Sequence, residues 1–305
     1  MFRERACGAT VWSLEARIMP KIATIGFFDG VHRGHRFLFA QLHEQAKLLH
    51  LTPVIYTFRE HPKQFLTGEA PAMLTTYAER EERLKTFGEI HFLDFSKVQH
   101  LTAEQFMHYL HDEQNVDVLL MGYDHHFGSD RLVGFSEYEH VGNRVGLRVL
   151  RAYECLVDSL PVSSSRVRKL LADAKIEYVN RLLGYTYSIS GAVEHGRAIG
   201  STIGFPTANI RLDSPKQLPA PGVYIVCANV DGVEYKALAN IGTNPTVGND
   251  YLSLEVHLLD FEGDLYGKKL TVSFLSYLRE ERKFASLSAL QQQIVEDVFM
   301  ATTDR

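Results

Sequence analysis

Hydrophobic and polar positions change period once along the chain. From residue 21, short apolar runs alternate with stretches of helical spacing: KIATIGFF, HRFLFAQLHEQAKLL, TPVIYTF, YAEREERLKTF, HFLDF, AEQFMHYLHDE and VDVLLM. Strand-helix-strand order repeated in this way predicts a parallel sheet covered by helices. Ligands of such sheets bind at the carboxyl ends of the strands. After about residue 186 the runs become β-rich and punctuated by turns: YSISGAVEH, GFPTANIRL, GVYIVCANV, VEYKALANI, LSLEVHLLDF and KLTVSFLSYL. Asp231 and Gly232, between two of these runs, signal a hairpin. In the last patterned stretch, SLSALQQQIVEDVFM, Leu287, Leu290, Ile294 and Val298 fall at helical spacing, which predicts a helix over an open end of a barrel. No internal repeat or low-complexity linker separates the halves. The expected division is an extension over 1–18, a first domain over 19–182 and a second over 183–305, with the boundary near NRLLGYTY.

Composition supports two ordinary globular domains: 305 residues, 45% hydrophobic and 23% charged. A net charge of -5 supplies no overall basic field for nucleic acid, so small phosphorylated ligands fit better. No apolar run approaches the ~20 residues of a membrane-spanning helix. The opening MFRERACGATVWSLEARIM is broken by Glu15 and Arg17 and does not form a signal peptide, so a cytoplasmic protein is expected. Residues 1–18 precede Met19 and carry no motif, so they are expected to be dispensable. Cys7, Cys155 and Cys227 form no CxxC pair, which argues against a disulfide framework and a cysteine zinc site.

Candidate chemistry enters at GFFDGVHRGH, residues 26–35. His32 and His35 lie one turn apart on a helix starting near Val31, so both rings face one space above the strand ends. A helix N-terminus offers unpaired N–H groups, and the glycines let backbone approach an anion. Read alone, the stretch is equally a tight turn with surface histidines; a zinc pair lacks a third ligand. The string resembles the HxGH signature of the nucleotidylyltransferase superfamily, and its FDGVHRGH form resembles bacterial bifunctional riboflavin kinase/FAD synthetases (FMN adenylyltransferases). MGYDHHFG and PVSSSRVRKLL follow in the order of that family. The resemblance implies that His32 and His35 orient the ATP triphosphate, with Gly26, Asp29 and Gly34 completing the nucleotide loop. It also implies that Ser163, Ser164, Ser165 and Arg168 stabilise the departing pyrophosphate, that Asp124 holds substrate, and that the reaction is adenylyl transfer to FMN. Phe27 departs from the Asn of many relatives, and His125 and His126 replace an aromatic followed by Arg. YTFREHP, with Phe58, His61 and Pro62, is expected to form a ligand wall.

In the second half, EHGRAIGSTIGFPTANI has Gly196, Gly200 and Gly204 but lacks the ending of a Walker A loop. Its GFPTAN resembles the signature of riboflavin kinases, a small barrel fold. The resemblance implies that Thr207 and Asn209 ligate Mg²⁺ and ATP phosphates, beneath a glycine-rich flap. Glu255 alternates with Leu254 and Val256 and so points to the opposite face of its strand. It matches the family's catalytic glutamate, which implies a general base toward the ribityl 5'-hydroxyl. NIGTNPTVG, with Asn244 and Thr246, and LREERKF, with Arg279 and Phe284, match segments that line the nucleotide and flavin sites. Ser201 stands where relatives often carry Arg, and Arg197 offers that charge nearby.

The resemblance covers about residues 21–300 and implies an α/β chain: an N-terminal Rossmann-like nucleotidylyltransferase domain, then a C-terminal Greek-key β-barrel with a terminal helix. The expected activity is phosphorylation of riboflavin to FMN and adenylylation of FMN to FAD, both with Mg²⁺. The expected partners are riboflavin, FMN and ATP, with no nucleic acid and no membrane. The rival is a riboflavin kinase whose first domain is a non-catalytic nucleotide- or flavin-binding regulatory module, and HRGH and SSSRVR speak against it.

Overall fold

The computed structural model describes residues 19–69, 71–195, 199–212, 216–243 and 252–303. Expectations for residues 1–18, Gly196, Arg197, Asn244 and Thr246 fall outside them. The first half opens with β1 (Lys21–Ile25), a 3-10 turn (Asp29–Val31), α1 (Arg33–Leu49), β2 (Thr52–Phe58), α2 (Pro62–Thr67), α3 (Tyr77–Lys85) and β3 (Glu89–Leu93). It continues through α4 (Phe95–Val98), α5 (Ala103–His108), β4 (Val116–Met121), α6 (Phe135–Val145) and β5 (Arg148–Arg151). A small hairpin, β6 (Leu156–Val157) and β7 (Leu160–Pro161), leads to α7 (Ser164–Ala172) and α8 (Ile176–Leu183). The sheet runs β3-β2-β1-β4-β5 with every pair parallel. Strand order reverses beside β1, so the loop after β1 occupies the topological switch point.

Helix α1 begins two residues later than the sequence predicts, because His32 is extended and caps it. The His32 side chain accepts the His35 N–H. Leu38, Phe39, Leu42 and Ala46 recur at helical spacing and bury against Ile22, Ile55 and Val118 of the sheet.

The second half is a closed barrel in the order β10-β11-β12-β9-β8-β13. Its strands are β8 (Ser188–Glu194), β9 (Ala208–Leu212), β10 (Gly222–Val230), β11 (Val233–Thr243), β12 (Leu252–Leu258) and β13 (Lys269–Arg279), with a short α9 (Ile199–Thr202) between β8 and β9. All the pairings are antiparallel. The expected hairpin is present, with Asp231 and Gly232 at φ 52° and 87°, the left-handed pair that a two-residue turn between twisted strands requires. Tyr224, Val226, Ala239, Val256 and Phe274 alternate into the barrel's core.

Packing corrects one expectation and adds detail to another. The last helix, α10 (Leu287–Thr303), covers the barrel's outer wall and not an open end. Val223, Ile225 and Leu238 project outward there, and Val298 and Ala301 pack on them, while Leu287 stays exposed. The expected boundary at 182/183 falls inside α8. Val167, Leu171, Ile176, Val179, Leu182 and Leu183 join the same buried cluster as the barrel's Tyr187 and Phe274. Asn180 donates to the Phe274 carbonyl and accepts from the Tyr187 N–H, which fastens α8 to β13. Each of these buried aliphatic side chains contributes roughly 1.5–3 kcal/mol, so the α7–α8 pair is bound energetically to the barrel.

Candidate functional sites

At the switch point the chain passes from β1 into the 3-10 turn. Gly30 takes φ +79° there, and Gly34 lets α1 approach the hairpin: a Cβ on Gly34 would lie 2.9 Å from the Val162 carbonyl oxygen. The His32 and His35 rings stack with centroids 3.6 Å apart. His32 is 3% exposed. Burial, with the Arg168 charge adding to it, lowers its pKa to about 3. His35 is likewise held well below its ordinary value, by burial and by His32. Both rings are therefore neutral at pH 7. Because His32 Nδ1 accepts the His35 N–H, the proton of neutral His32 sits on Nε2. His32 Nε2 and His35 Nδ1 are buried and have no hydrogen-bond partner within the protein.

These rings line a cavity of about 260 Å³ together with Gly34, Asp124, Ser163, Ser164 and Ser165. Seven of the expected residues thus converge, joined by Tyr123, Tyr153 and Cys155, which sequence reasoning did not assign. The serine hydroxyls hold the loop: Ser163 caps α7 by accepting the Arg166 N–H, and Ser164 donates to the Asp29 carbonyl. That leaves first-turn N–H groups of α7 as the anion-directed donors on this wall.

Gly26, Asp29 and Arg168 are not on the cavity wall. A Cβ on Gly26 would meet the Phe28 ring at 2.7 Å, so this glycine serves the packing of its own loop. Asp29 is 3% exposed and turns away from the cavity. Its carboxylate accepts from the Leu74 and Thr75 N–H groups, the Thr75 hydroxyl and the Arg168 guanidinium. Arg168 also donates through Nε to the Ala72 carbonyl at 3.0 Å. Asp29 and Arg168 thus pair with each other behind the turn, Asp29 buried and Arg168 partly exposed.

The departures have physical settings too. The Phe27 ring lies between the buried Arg80 guanidinium, 3.8 Å from its centroid, and His61, at 4.5 Å between centroids. Burial lowers the Arg80 pKa to about 10. Burial and then Arg168 lower His61 to about 4. His125 is partly buried, which lowers its pKa to about 4, and His126 bonds the Asp124 carbonyl. Of the expected wall, Phe58 lines a separate aromatic cavity of about 290 Å³ with Arg59, Phe65, Phe92 and Phe95. His61 instead caps α2, and Pro62 is that helix's first residue.

On the barrel, strand register builds the second site. Glu255 pairs with Asn209 on β9 and with Asn240 on β11. The three form a row on the outer wall, because their neighbours Ala208, Ala239, Leu254 and Val256 fill the interior. Thr207 Oγ1 donates to Glu255 Oε2 at 3.3 Å. A cavity of about 400 Å³ lies between this wall and α10, lined by Gly200, Thr207, Glu255, Arg279 and Phe284 among the expected residues. Gly204, at φ +86°, makes the turn leading in. Phe205, Asn240, His257, Glu281 and Asp297 also line it and were not anticipated. Asn240 was findable, since it shares Glu255's outward parity. Arg279 grips Asp297 of α10 with three hydrogen bonds of 2.6–3.0 Å, so its charge fastens the helix over the cavity. Among the described residues no group of three or more His, Cys, Asp or Glu side chains is placed to hold a metal ion.

Comparison with known proteins decides the family. Residues 15–166 match the family described as FAD synthetase, and residues 183–303 match riboflavin kinase. The bifunctional riboflavin kinase/FMN adenylyltransferase of Pseudomonas fluorescens is 42% identical over 92% of this chain and 91% of its own. The chain belongs to the bifunctional riboflavin kinase/FMN adenylyltransferase family. Its Escherichia coli (strain K12) relative of the same name is 38% identical over 92% of this chain and 91% of its own. A solved Streptococcus pneumoniae structure, named as a macrolide-efflux protein, superposes with TM-score 0.85 at 32% identity, covering 94% of this chain and 95% of its own. The two-part architecture of the bifunctional riboflavin kinase/FMN adenylyltransferase family therefore recurs whole in that protein. Among the described residues here, no helix is long and apolar enough to cross a membrane.

Proposed function

We propose that the two reactions of this bifunctional enzyme divide between the two sites: adenylyl transfer to FMN at the histidine cavity, and phosphorylation of riboflavin on the barrel wall. The observation that carries the first assignment is the pair of buried, unpartnered imidazole nitrogens, His32 Nε2 and His35 Nδ1, at the N-terminus of a helix. A buried unpaired donor is costly, and phosphate oxygens of ATP supply its missing acceptor. Neutral rings suit the task, because they donate hydrogen bonds without becoming acids. An FMN phosphate oxygen attacks the α-phosphorus of ATP, the bond to the β-phosphate breaks, and pyrophosphate leaves. His32, His35 and the first turn of α7 stabilise the charge that develops. The aromatic cavity of Phe58, Phe65, Phe92 and Phe95 offers ring faces on which the flavin would stack.

On the barrel, Glu255 accepts the proton of the riboflavin 5'-hydroxyl as its oxygen attacks the γ-phosphorus, and ADP leaves. Thr207 and Asn209 offer only neutral oxygen donors beside Glu255, a set that fits Mg²⁺ shared with ATP phosphates. When bound, Mg²⁺ would neutralise charge on the phosphates. Arg279, through Asp297, holds α10 over the cavity while substrate is bound. Both steps consume ATP, which makes the cytoplasm the compartment this reading implies.

HPLC of reactions containing riboflavin, ATP and Mg²⁺ tests the division. Wild type is expected to yield FAD, His35→Ala to stop at FMN, and Glu255→Gln to make FAD only when FMN is supplied. Failure of His35→Ala to block FAD formation would overturn the assignment of the first site.

A further inference from the structure

The turn that carries His32 is strained and is held from behind by the kinase half. Phe28, Gly30 and Val31 all have positive φ, of 57°, 79° and 36°. For a β-branched residue such as Val31 that conformation is unusual, and it persists only where the surroundings over-determine it. The over-determination comes from a strap, residues 72–76, lying outside every strand and helix. Its Leu74 and Thr75 N–H groups bind Asp29, its Thr75 hydroxyl accepts the Gly30 N–H at 3.1 Å, and its Ala72 carbonyl accepts from Arg168.

The strap is in turn gripped from the kinase half. Met73 pairs with Lys216, and the Gln217 N–H donates to the Met73 carbonyl at 2.8 Å. Gln217 Nε2 donates to the Arg168 carbonyl at 2.9 Å. Lys216, with a side chain 6% exposed, pairs with Glu79 at 2.6 Å, and Glu79 caps α3 by accepting the Thr76 N–H. From the segment before β8, Tyr185 donates its hydroxyl to the Gly30 carbonyl itself at 2.8 Å. None of Tyr185, Lys216 and Gln217 lines the kinase cavity.

We propose that Tyr185, Lys216 and Gln217 are positioning residues for adenylyl transfer, supplied by the kinase half and acting through the strap and Asp29 to set His32. FAD formation then depends on how the barrel is docked, and riboflavin phosphorylation does not depend on these contacts. The inference rests on assigning adenylyl transfer to the histidine cavity, so His35→Ala is measured alongside as the check on that assignment.

The test uses the full chain and separate steady-state assays of the two reactions. Tyr185→Phe removes one hydroxyl and keeps the ring; Lys216→Met removes the ion pair and keeps the stem. Each is expected to lower kcat for FMN adenylylation about 10-fold to 10²-fold, the scale of a small misplacement at a distance from the reacting atoms. KM for FMN and the rate of riboflavin phosphorylation are expected to stay within about twofold, because no altered group touches either flavin site. Lys216→Arg, which retains the pair with Glu79, is expected to recover most of the adenylylation rate. Adenylylation within twofold of wild type in both variants would overturn the inference, as would an equal fall in both reactions. If His35→Ala blocks FAD formation while Tyr185→Phe and Lys216→Met do not, the positioning role fails and the site assignment stands.

Discussion

On the proposed assignment, the histidine cavity and the barrel wall solve the same problem, holding ATP against a flavin, with order drawn from different sources. On the barrel, register suffices: Asn209, Glu255 and Asn240 are direct cross-strand neighbours, so the fold of one sheet aligns them. At the switch point, alignment depends on contacts far apart in sequence. Asp29 meets Leu74 and Arg168, and Gly30 meets Tyr185 across 155 residues. A site built by register belongs to its own domain, whereas a site built on a strained turn depends on whatever holds that turn.

Substitutions at the two centres sharpen this contrast most. Glu255→Gln removes the proposed base and leaves Thr207 and Asn209 in place, so riboflavin phosphorylation is expected to fall about 10²-fold to 10⁴-fold. FAD formation from supplied FMN is expected to be unchanged, as measured by coupled pyrophosphate release. His35→Ala removes one preorganised donor and is expected to slow adenylylation on the order of 10²-fold to 10³-fold, about 3 kcal/mol. The kinase rate is expected to survive, and loss of both activities in a folded variant would break the comparison.

Dissection of the chain comes next in size. A fragment of residues 163–305 retains α7 and α8 with the barrel, whereas one of residues 184–305 strips Val167, Leu171, Val179 and Leu182 from their shared cluster. The longer fragment is expected to fold and phosphorylate riboflavin. The shorter is expected to melt lower by circular dichroism, or to be recovered unfolded, because each lost aliphatic side chain contributed roughly 1.5–3 kcal/mol. Equal melting temperatures would show that α8 belongs to the first half.

The smallest effect is electrostatic. His32 is buried neutral with its pKa lowered to about 3. Below its ordinary value of 6.5 the unfolded chain takes up a proton that the folded chain refuses, so stability falls as pH drops from about 6.5 toward 3 and is unaffected above that window. Urea unfolding of wild type and His32→Gln at pH 7.5 and pH 5 is expected to show a larger acid-induced loss in wild type.

Much of this was legible in the sequence, and the boundary of legibility is physical. Strand and helix order and the hairpin at Asp231 follow from local periodicity and short-range spacing, whereas the convergence of His32 and His35 with Ser163–Ser165 was legible only through the resemblance of their motifs to a family. Direction within a loop does not. Asp29 sits inside the signature yet faces backward, because its partners at Leu74, Thr75 and Arg168 lie 45 to 139 residues away. The stacking of Phe27 with Arg80 and the latch of Arg279 on Asp297 are hidden for the same reason. The placement of α10 turned on outward apolar residues, Val223 and Leu238, whose strands alternate like any others until the helix is seen on them.

Complementation between two inactive halves tests the division of labour most directly. Glu255→Gln and His35→Ala are each incubated with riboflavin, ATP and Mg²⁺, and then mixed. Neither alone is expected to make FAD. The mixture is expected to make it, as FMN released by His35→Ala reaches the intact histidine cavity of Glu255→Gln. FAD from either variant alone at the wild-type rate, or a mixture of two folded variants that makes FMN but no FAD, would contradict the assignment of one reaction to each site.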